Sequence, residues 1–234
     1  MSFDNATVMI TGAAGNLGRA VAQAFAQQGA KLVLVDRDAK ALEAAFGAER
    51  EGSTLVATDL LDRQKTQADV ASALQRTGGI DALCHLAGGF AMGEKVHETS
   101  EQAWNFMLDI NARTFLHVAH ALVPSMLERG GGRIVAVGAF SAQKGAAGMG
   151  AYIASKSALI RLVESMSAEL RERNINVNCV LPTIIDTPAN RGAMPDADPA
   201  RWVAPEALAD AIVFLASKGA RAIHGAALPV TGLS

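Results

Sequence analysis

Val8-Met-Ile-Thr11-Gly12-Ala-Ala-Gly15-Asn16-Leu17-Gly18-Arg-Ala-Val-Ala22 reads as a strand, a turn and the start of a helix. Thr7 to Ile10 is a short apolar run, and a helical pattern follows over 17–28. Between them Gly12, Gly15 and Gly18 are spaced Gly-x-x-Gly-x-x-Gly. Glycines permit a tight turn and let the backbone come close to a pyrophosphate, while the first unpaired N–H groups of the helix offer donors and partial positive charge to an anion. A glycine turn alone serves packing as readily as it serves a ligand. Here it is followed by a second strand ending in Asp36, 18 residues past Gly18, and that context points to a dinucleotide held by Thr11, Gly12, Gly15, Asn16, Leu17 and Gly18.

A carboxylate at the end of strand two accepts hydrogen bonds from the adenosine ribose and repels a 2′-phosphate, so Asp36 favours NAD(H) over NADP(H). Arg37 follows it, either as a solvated charge at a helix start or as a partner for a phosphate. Asp59, in Ala57-Thr-Asp-Leu60 after strand three, is placed to bond the adenine amino group, with Leu60 beside it. The alternative for Asp59 is a helix N-cap, for which Asp62 is the better candidate.

Outward from this end, strand-like runs at 7–10, 31–35, 54–57, 82–86, 133–137, 176–181 and 226–230 alternate with helical patterns near 17–28, 38–46, 62–76, 100–128, 151–172 and 205–217. That alternation predicts an α/β protein with a doubly wound Rossmann fold, a mostly parallel sheet of six or seven strands with helices on both faces. No repeat or linker divides the chain, and 234 residues suit one domain, 1–234. The helix at 151–172 is apolar over too wide an arc for one buried face. Either it is deeply buried within the monomer, or its second face packs on another subunit, which predicts a homodimer or homotetramer through helices near 100–128 and 151–172.

Aromatics are only 5% of the residues, so Ala, Val, Leu and Ile must fill the core. A net charge of −2 gives no electrostatic reason to expect nucleic acid or an anionic membrane as partner. No apolar run reaches the ~18 residues needed to span a bilayer. Met-Ser-Phe-Asp-Asn5 lacks the basic and apolar stretches of a secretory signal, so a cytoplasmic protein is expected. Cys84 and Cys179 sit in apolar strand-like runs and read as buried thiols, with no metal-ligand spacing.

Ala151-Tyr-Ile-Ala-Ser-Lys156 places Tyr152 and Lys156 at i and i+4, on one helix face. A cation beside the phenol lowers its pKa and keeps the hydroxyl useful for proton transfer near neutrality. With the dinucleotide turn, the pair predicts hydride-transfer chemistry, the cofactor carrying the hydride and Tyr152 the proton.

In this order and spacing, Thr11-Gly12, Asp59, Ala87-Gly88, Asn111, Tyr152, Lys156 and, in part, Pro182 through Thr187 resemble the short-chain dehydrogenase/reductase family over essentially the whole chain. The resemblance implies that Tyr152 is the acid/base and that Lys156 lowers its pKa and binds the nicotinamide ribose. It implies that Asn111 holds a water in a proton relay, and that Ile185 and Thr187 contact the carboxamide, near Pro182. The chain departs from the family at four places. Asn16 stands where a glycine is usual, His85 and Leu86 replace an Asn pair, and Thr183 follows Pro182 where glycine is common. Above all, the substrate-polarising serine, thirteen residues before the tyrosine, is Ala139 here. Ser141 is either its substitute or an ordinary loop hydroxyl.

A narrower resemblance joins Ala87-Gly-Gly-Phe90, Val137-Gly-Ala-Phe140, Gly148-Met-Gly-Ala-Tyr152, Asp186-Thr-Pro-Ala-Asn-Arg191, Met194-Pro-Asp-Ala-Asp198 and Trp202 to the quinonoid dihydropteridine reductase group. That group uses NADH with a tyrosine and lysine but no serine; a quinonoid acceptor is already electron-poor and needs less polarisation than a ketone. Residues 183–204, with Pro188, Pro195 and Pro199, read as a lid over the substrate. Phe90, Ala139, Met149, Met194 and Trp202 are candidate pocket walls, and Arg191 either binds an anionic substrate group or pairs with Asp186 or Asp196. Three functions are then in play: a carbonyl/alcohol dehydrogenase, a pteridine-type reductase, and a dinucleotide-binding protein without turnover.

Overall fold

The computed structural model describes residues 2–234. Seven strands, β1 (Thr7–Thr11), β2 (Lys31–Asp36), β3 (Ser53–Ala57), β4 (Ala82–His85), β5 (Gly132–Val137), β6 (Ile175–Pro182) and β7 (Ala227–Val230), form one sheet in the order β3-β2-β1-β4-β5-β6-β7. Every pairing is parallel. The order reverses between β1 and β4, and the carboxyl ends of strands at such a switch point open a crevice for a ligand.

Parallel strands are buried on both faces, so alternate residues feed two cores. From β1, Val8 and Ile10 enter the core under α1 (Asn16–Ala26), α2 (Ala39–Phe46) and α8 (Pro205–Ala216), with Val21, Phe25, Leu208 and Ile212. Met9 points to the opposite core under α3 (Arg63–Thr77), α5 (Thr114–Glu128) and α6 (Gly150–Leu170), with Phe115, Leu122, Leu159 and Val163. Cys84 and Cys179 are free and buried, one in each core.

The region 100–128 departs from the single helix its periodicity predicts. It is α4 (Glu101–Leu108), a π-helical segment Asp109–Arg113, and α5. One added residue per turn shifts the register without interrupting the chain's helical course, so the hydrophobic pattern barely records it. The segment 183–204, expected to form a lid, is also more ordered than its prolines suggest. It contains α7 (Pro188–Ala193), with Thr187 accepting from Asn190 N–H and proline in the first turn, and its two ends meet in a bridge between Ile185 and Val203. On α6, Ile153, Leu159, Ile160 and Val163 are buried, while Ala158 and Leu162 line an open groove with Leu108, Ala112 and Leu116. Leu116 of α5 is 44% exposed, so the apolar groove between α5 and α6 is open in the monomer. Among the described residues no helix is long and apolar enough to cross a membrane.

Candidate active site

The glycine turn is built by close approach of backbone to backbone. Gly12 has φ of 67°, and a Cβ there would sit 3.0 Å from Ala87 N. A Cβ on Gly18 would lie 2.3 Å from Gly12 O and 2.5 Å from Ala13 O. The Thr11 hydroxyl accepts from Leu86 N–H (3.2 Å) and Ala87 N–H (3.3 Å), which fixes the β4 exit against the turn. Helix α1 begins at Asn16 with Gly15 as its cap and no side-chain capping bond, so its first-turn amides, including that of Leu17, are left for another acceptor.

Asp36 closes this end. Its Oδ2 accepts from Ala14 N–H at 3.0 Å and its Oδ1 from Arg37 N–H at 2.7 Å. Each oxygen retains a lone pair, and the side chain is only partly buried, which suits a carboxylate receiving ribose hydroxyls. The Arg37 residue is exposed. Asp62, not Asp59, caps α3 through Lys65 N–H. Asp59 is exposed and accepts from Leu61 N–H at 3.0 Å, and Leu60 beside it is buried. The turn's glycine spaces and the pattern of donors and acceptors fit a dinucleotide.

The other end of the candidate site is assembled around Gly88. A Cβ added there would be 2.8 Å from Asn111 Oδ1 and 3.2 Å from Lys156 Nζ, so only glycine lets these groups converge on the β4 exit. Asn111 lies in the π-helical segment, fully buried, and its side chain grips Gly89 from both sides: Gly89 N–H donates to Oδ1 and Nδ2 donates to Gly89 O, each at 3.0 Å. Its second amide hydrogen goes to Ser155 Oγ (3.1 Å), whose hydroxyl donates to Tyr152 O (2.7 Å). Ser155 carries no motif in the sequence, and Gly89 enters it only within Ala87-Gly-Gly-Phe90. The only signal for Ser155 was its place beside Lys156, three residues past Tyr152.

Lys156 is buried and donates to Val137 O at 2.7 Å. Burial lowers its pKa to about 8. Tyr152 packs edge-on against Phe90, ring centroids 4.9 Å apart, and burial pushes its phenol up to about 12. The expectation that Lys156 lowers the Tyr152 pKa is therefore corrected in this arrangement. Removing a phenolate from water is costly, and burial is what sets the direction of the Tyr152 shift.

The sign of the Lys156 shift makes a measurable prediction. Between about pH 8 and the ordinary lysine value of 10.5 the unfolded chain binds more protons than the folded one, so stability from this group rises through that window and is lowest below it. Lys156→Met is expected to stabilise the fold at pH 7 by about 2 kcal/mol after loss of the Val137 bond. The gain should shrink by pH 10 when thermal unfolding of both proteins is compared. An unchanged gap between pH 7 and 10 would reject the buried ammonium.

Ala139 is buried in extended conformation, and Ser141 lies in the 3-10 turn Phe140–Gln143, partly buried. Pro182 ends β6, and Asn190 Nδ2 donates to Ile185 O (2.8 Å). Arg191 is held by Asp186 in a two-pronged ion pair at 2.6 and 2.7 Å. Trp202 is 8% exposed, Met149 and Met194 are partly buried, and Phe90 is 58% exposed at the Tyr152 edge.

A family described as Enoyl-(Acyl carrier protein) reductase matches residues 12–232. Dehydrogenase/reductase SDR family member 4 of Oryctolagus cuniculus is 32% identical, over 97% of this chain and 93% of its own length. D-threitol dehydrogenase of Mycolicibacterium smegmatis is 33% identical over 98% of this chain and 93% of its length. Among solved structures, carveol dehydrogenase from Mycobacterium avium in complex with NAD superimposes with a TM-score of 0.89 at 27% identity, covering 98% of this chain and 97% of that one.

Proposed function

The chain belongs to the short-chain dehydrogenase/reductase family, and from that membership we propose an NAD(H)-dependent oxidoreductase acting on a small carbonyl/alcohol pair, with Tyr152 as acid/base. The observation that carries the reading is the convergence of Asn111 and Lys156 on Gly88, beside the helix that bears Tyr152. Thr11 to Gly18, Asp36, Arg37, Asp59, Leu60, Ala87, Gly88, Pro182, Ile185 and Thr187 would hold the dinucleotide, which supplies or accepts the hydride when bound. Tyr152, with its phenol raised to about 12, is protonated near neutrality and is in the right state to donate to the oxygen of a carbonyl acceptor. Lys156 keeps an ammonium close to Gly88, and Asn111 fixes the β4 exit that both groups face. Relatives named for D-threitol and carveol support an alcohol/carbonyl pair. The open face of α5 and α6 supports a homodimer or homotetramer, the lid at 183–204 covers the substrate, and a cytoplasmic location is consistent with the absence of a spanning helix among the described residues.

NAD(H) over NADP(H) rests on Asp36. Asp36→Ala removes the acceptor for ribose and the repulsion of a 2′-phosphate together, and is expected to shrink the ratio of kcat/KM for NADH over NADPH by about tenfold. An unchanged ratio would place ribose recognition elsewhere.

One observation favours a second reading. Ala139 presents a methyl where the family's polarising hydroxyl lies, so the site suits an acceptor that is already electron-poor, such as a quinonoid pterin. Turnover of quinonoid dihydropterin with NADH, but not of ketones, separates this reading from the first. NADH binding with no turnover of either class would mark a binding protein.

A further inference from the structure

His85 ends β4 and is 1% exposed, in the middle of the sheet at the switch point. Its Nδ1 lies 3.0 Å from Thr11 Oγ1 and its Nε2 lies 3.3 Å from Thr114 Oγ1, and both threonines are fully buried. Thr11 Oγ1 accepts Ala87 N–H and shares Leu86 N–H with Thr11 O, and the acceptor within reach of its own proton is His85 Nδ1. The Thr114 hydroxyl donates to Ile110 O at 2.8 Å, so it receives the proton on Nε2. Only a neutral imidazole protonated on Nε2 gives every donor an acceptor. Burial agrees, pushing the His85 pKa down to about 3.

The chain of bonds ends at the π-helical segment. In an α-helix Thr114 N–H would bond Ile110 O; here it reaches one residue further back, to Asp109 O, and the Thr114 hydroxyl bonds Ile110 O instead. The next residue along is Asn111, the clamp on Gly89. We propose that His85 is a positioning residue that ties the dinucleotide turn, through Thr11, to the π-helical segment, through Thr114, and so sets where Asn111 meets the β4 exit. The two ring nitrogens reach the two threonines at once, at 3.0 and 3.3 Å, and this linkage belongs to the histidine. The Phe115 ring, edge-on at 5.5 Å, holds the imidazole plane.

The kinetic consequences rest on the dehydrogenase/reductase reading; the structural ones do not. His85→Asn retains an acceptor for Thr11 but loses Thr114, whereas His85→Gln places an amide N–H within reach of Thr114. Thr114→Val cuts the far end without touching the histidine. In the protein without ligand, His85→Asn and Thr114→Val are each expected to speed amide hydrogen exchange over 109–114 about tenfold, with the rest of the sheet unchanged, and the double variant to be no faster than either single. In turnover each should lower kcat about tenfold while the dissociation constant for NADH stays within about twofold, and His85→Gln should recover most of the loss. Exchange rising evenly through the sheet, single effects that add, or unchanged exchange in Thr114→Val would overturn the proposal. If His85→Asn does not fold, Thr114→Val and His85→Gln decide it. Failure of the wild-type protein to bind NADH would refute the functional reading, while the exchange pattern would still rule on His85.

Discussion

Tyr152→Phe is expected to lower kcat by about a thousandfold, with NADH affinity unchanged within about twofold. The substitution removes one oxygen and nothing else. The edge-on contact with Phe90 is made by the ring, so the side chain stays where it is. What disappears is the proton donor. Ser155 and Asn111 satisfy one another and Gly89, and Lys156 is drawn to Val137 O, so none of these groups is placed at the position the phenol oxygen leaves. Steady-state kinetics with any accepted substrate, together with a fluorescence titration of NADH, separates the two quantities. Turnover near wild type in the variant would reject Tyr152 as the acid, and a parallel loss of NADH affinity would make it a binding residue instead.

Gly18→Ala is the second large effect, and it acts on the fold. The new Cβ would meet Gly12 O, Ala13 O and Ala13 C at 2.3, 2.5 and 2.7 Å. All three are backbone atoms of the turn and cannot rotate away, so α1 would have to lift off. Its Val21 and Phe25 are packed in the core shared with α8, and that movement would open the core as well. A loss of about 3 kcal/mol in urea unfolding is expected, with NADH binding weakened at least about tenfold. Gly15→Ala is the control: its Cβ would meet only Gly12 O, at 3.3 Å, and should cost less than about 1 kcal/mol. Equal losses in the two variants would contradict the packing argument.

The strands and most helices were legible because parallel sheets demand short, continuous apolar runs between helical periodicities, and this chain supplies them with clear stops at its glycine pairs. The glycine turn was legible for a related reason: glycine spacing and a carboxylate at a strand end are local in sequence, and Gly12 and Gly18 form a tight turn with Asp36 bonded to it through Ala14 N–H. The π-helical segment around Asn111 was not legible, because an i→i−5 bond leaves apolar residues recurring at nearly helical spacing. Helix α7 had its signal, a threonine cap followed by proline at Thr187-Pro188, but the density of prolines reads as irregular chain. Arg191 had three possible partners in sequence, and only the fold of 183–204 selects Asp186. The spacing of Tyr152 and Lys156 gives a common helix face but not the depth of burial, and it is burial that sets the direction of both pKa shifts. His85 stood out only as an unusual residue, since the two threonines it joins are 74 residues before and 29 residues after it.

A crystal structure of the protein with NADH tests the central claim most directly. The account predicts the pyrophosphate against the first-turn amides of α1, the adenosine ribose on Asp36, and the nicotinamide ring beside the Tyr152 hydroxyl. A dinucleotide lying anywhere else on the sheet, or a nicotinamide facing away from Tyr152, would contradict it.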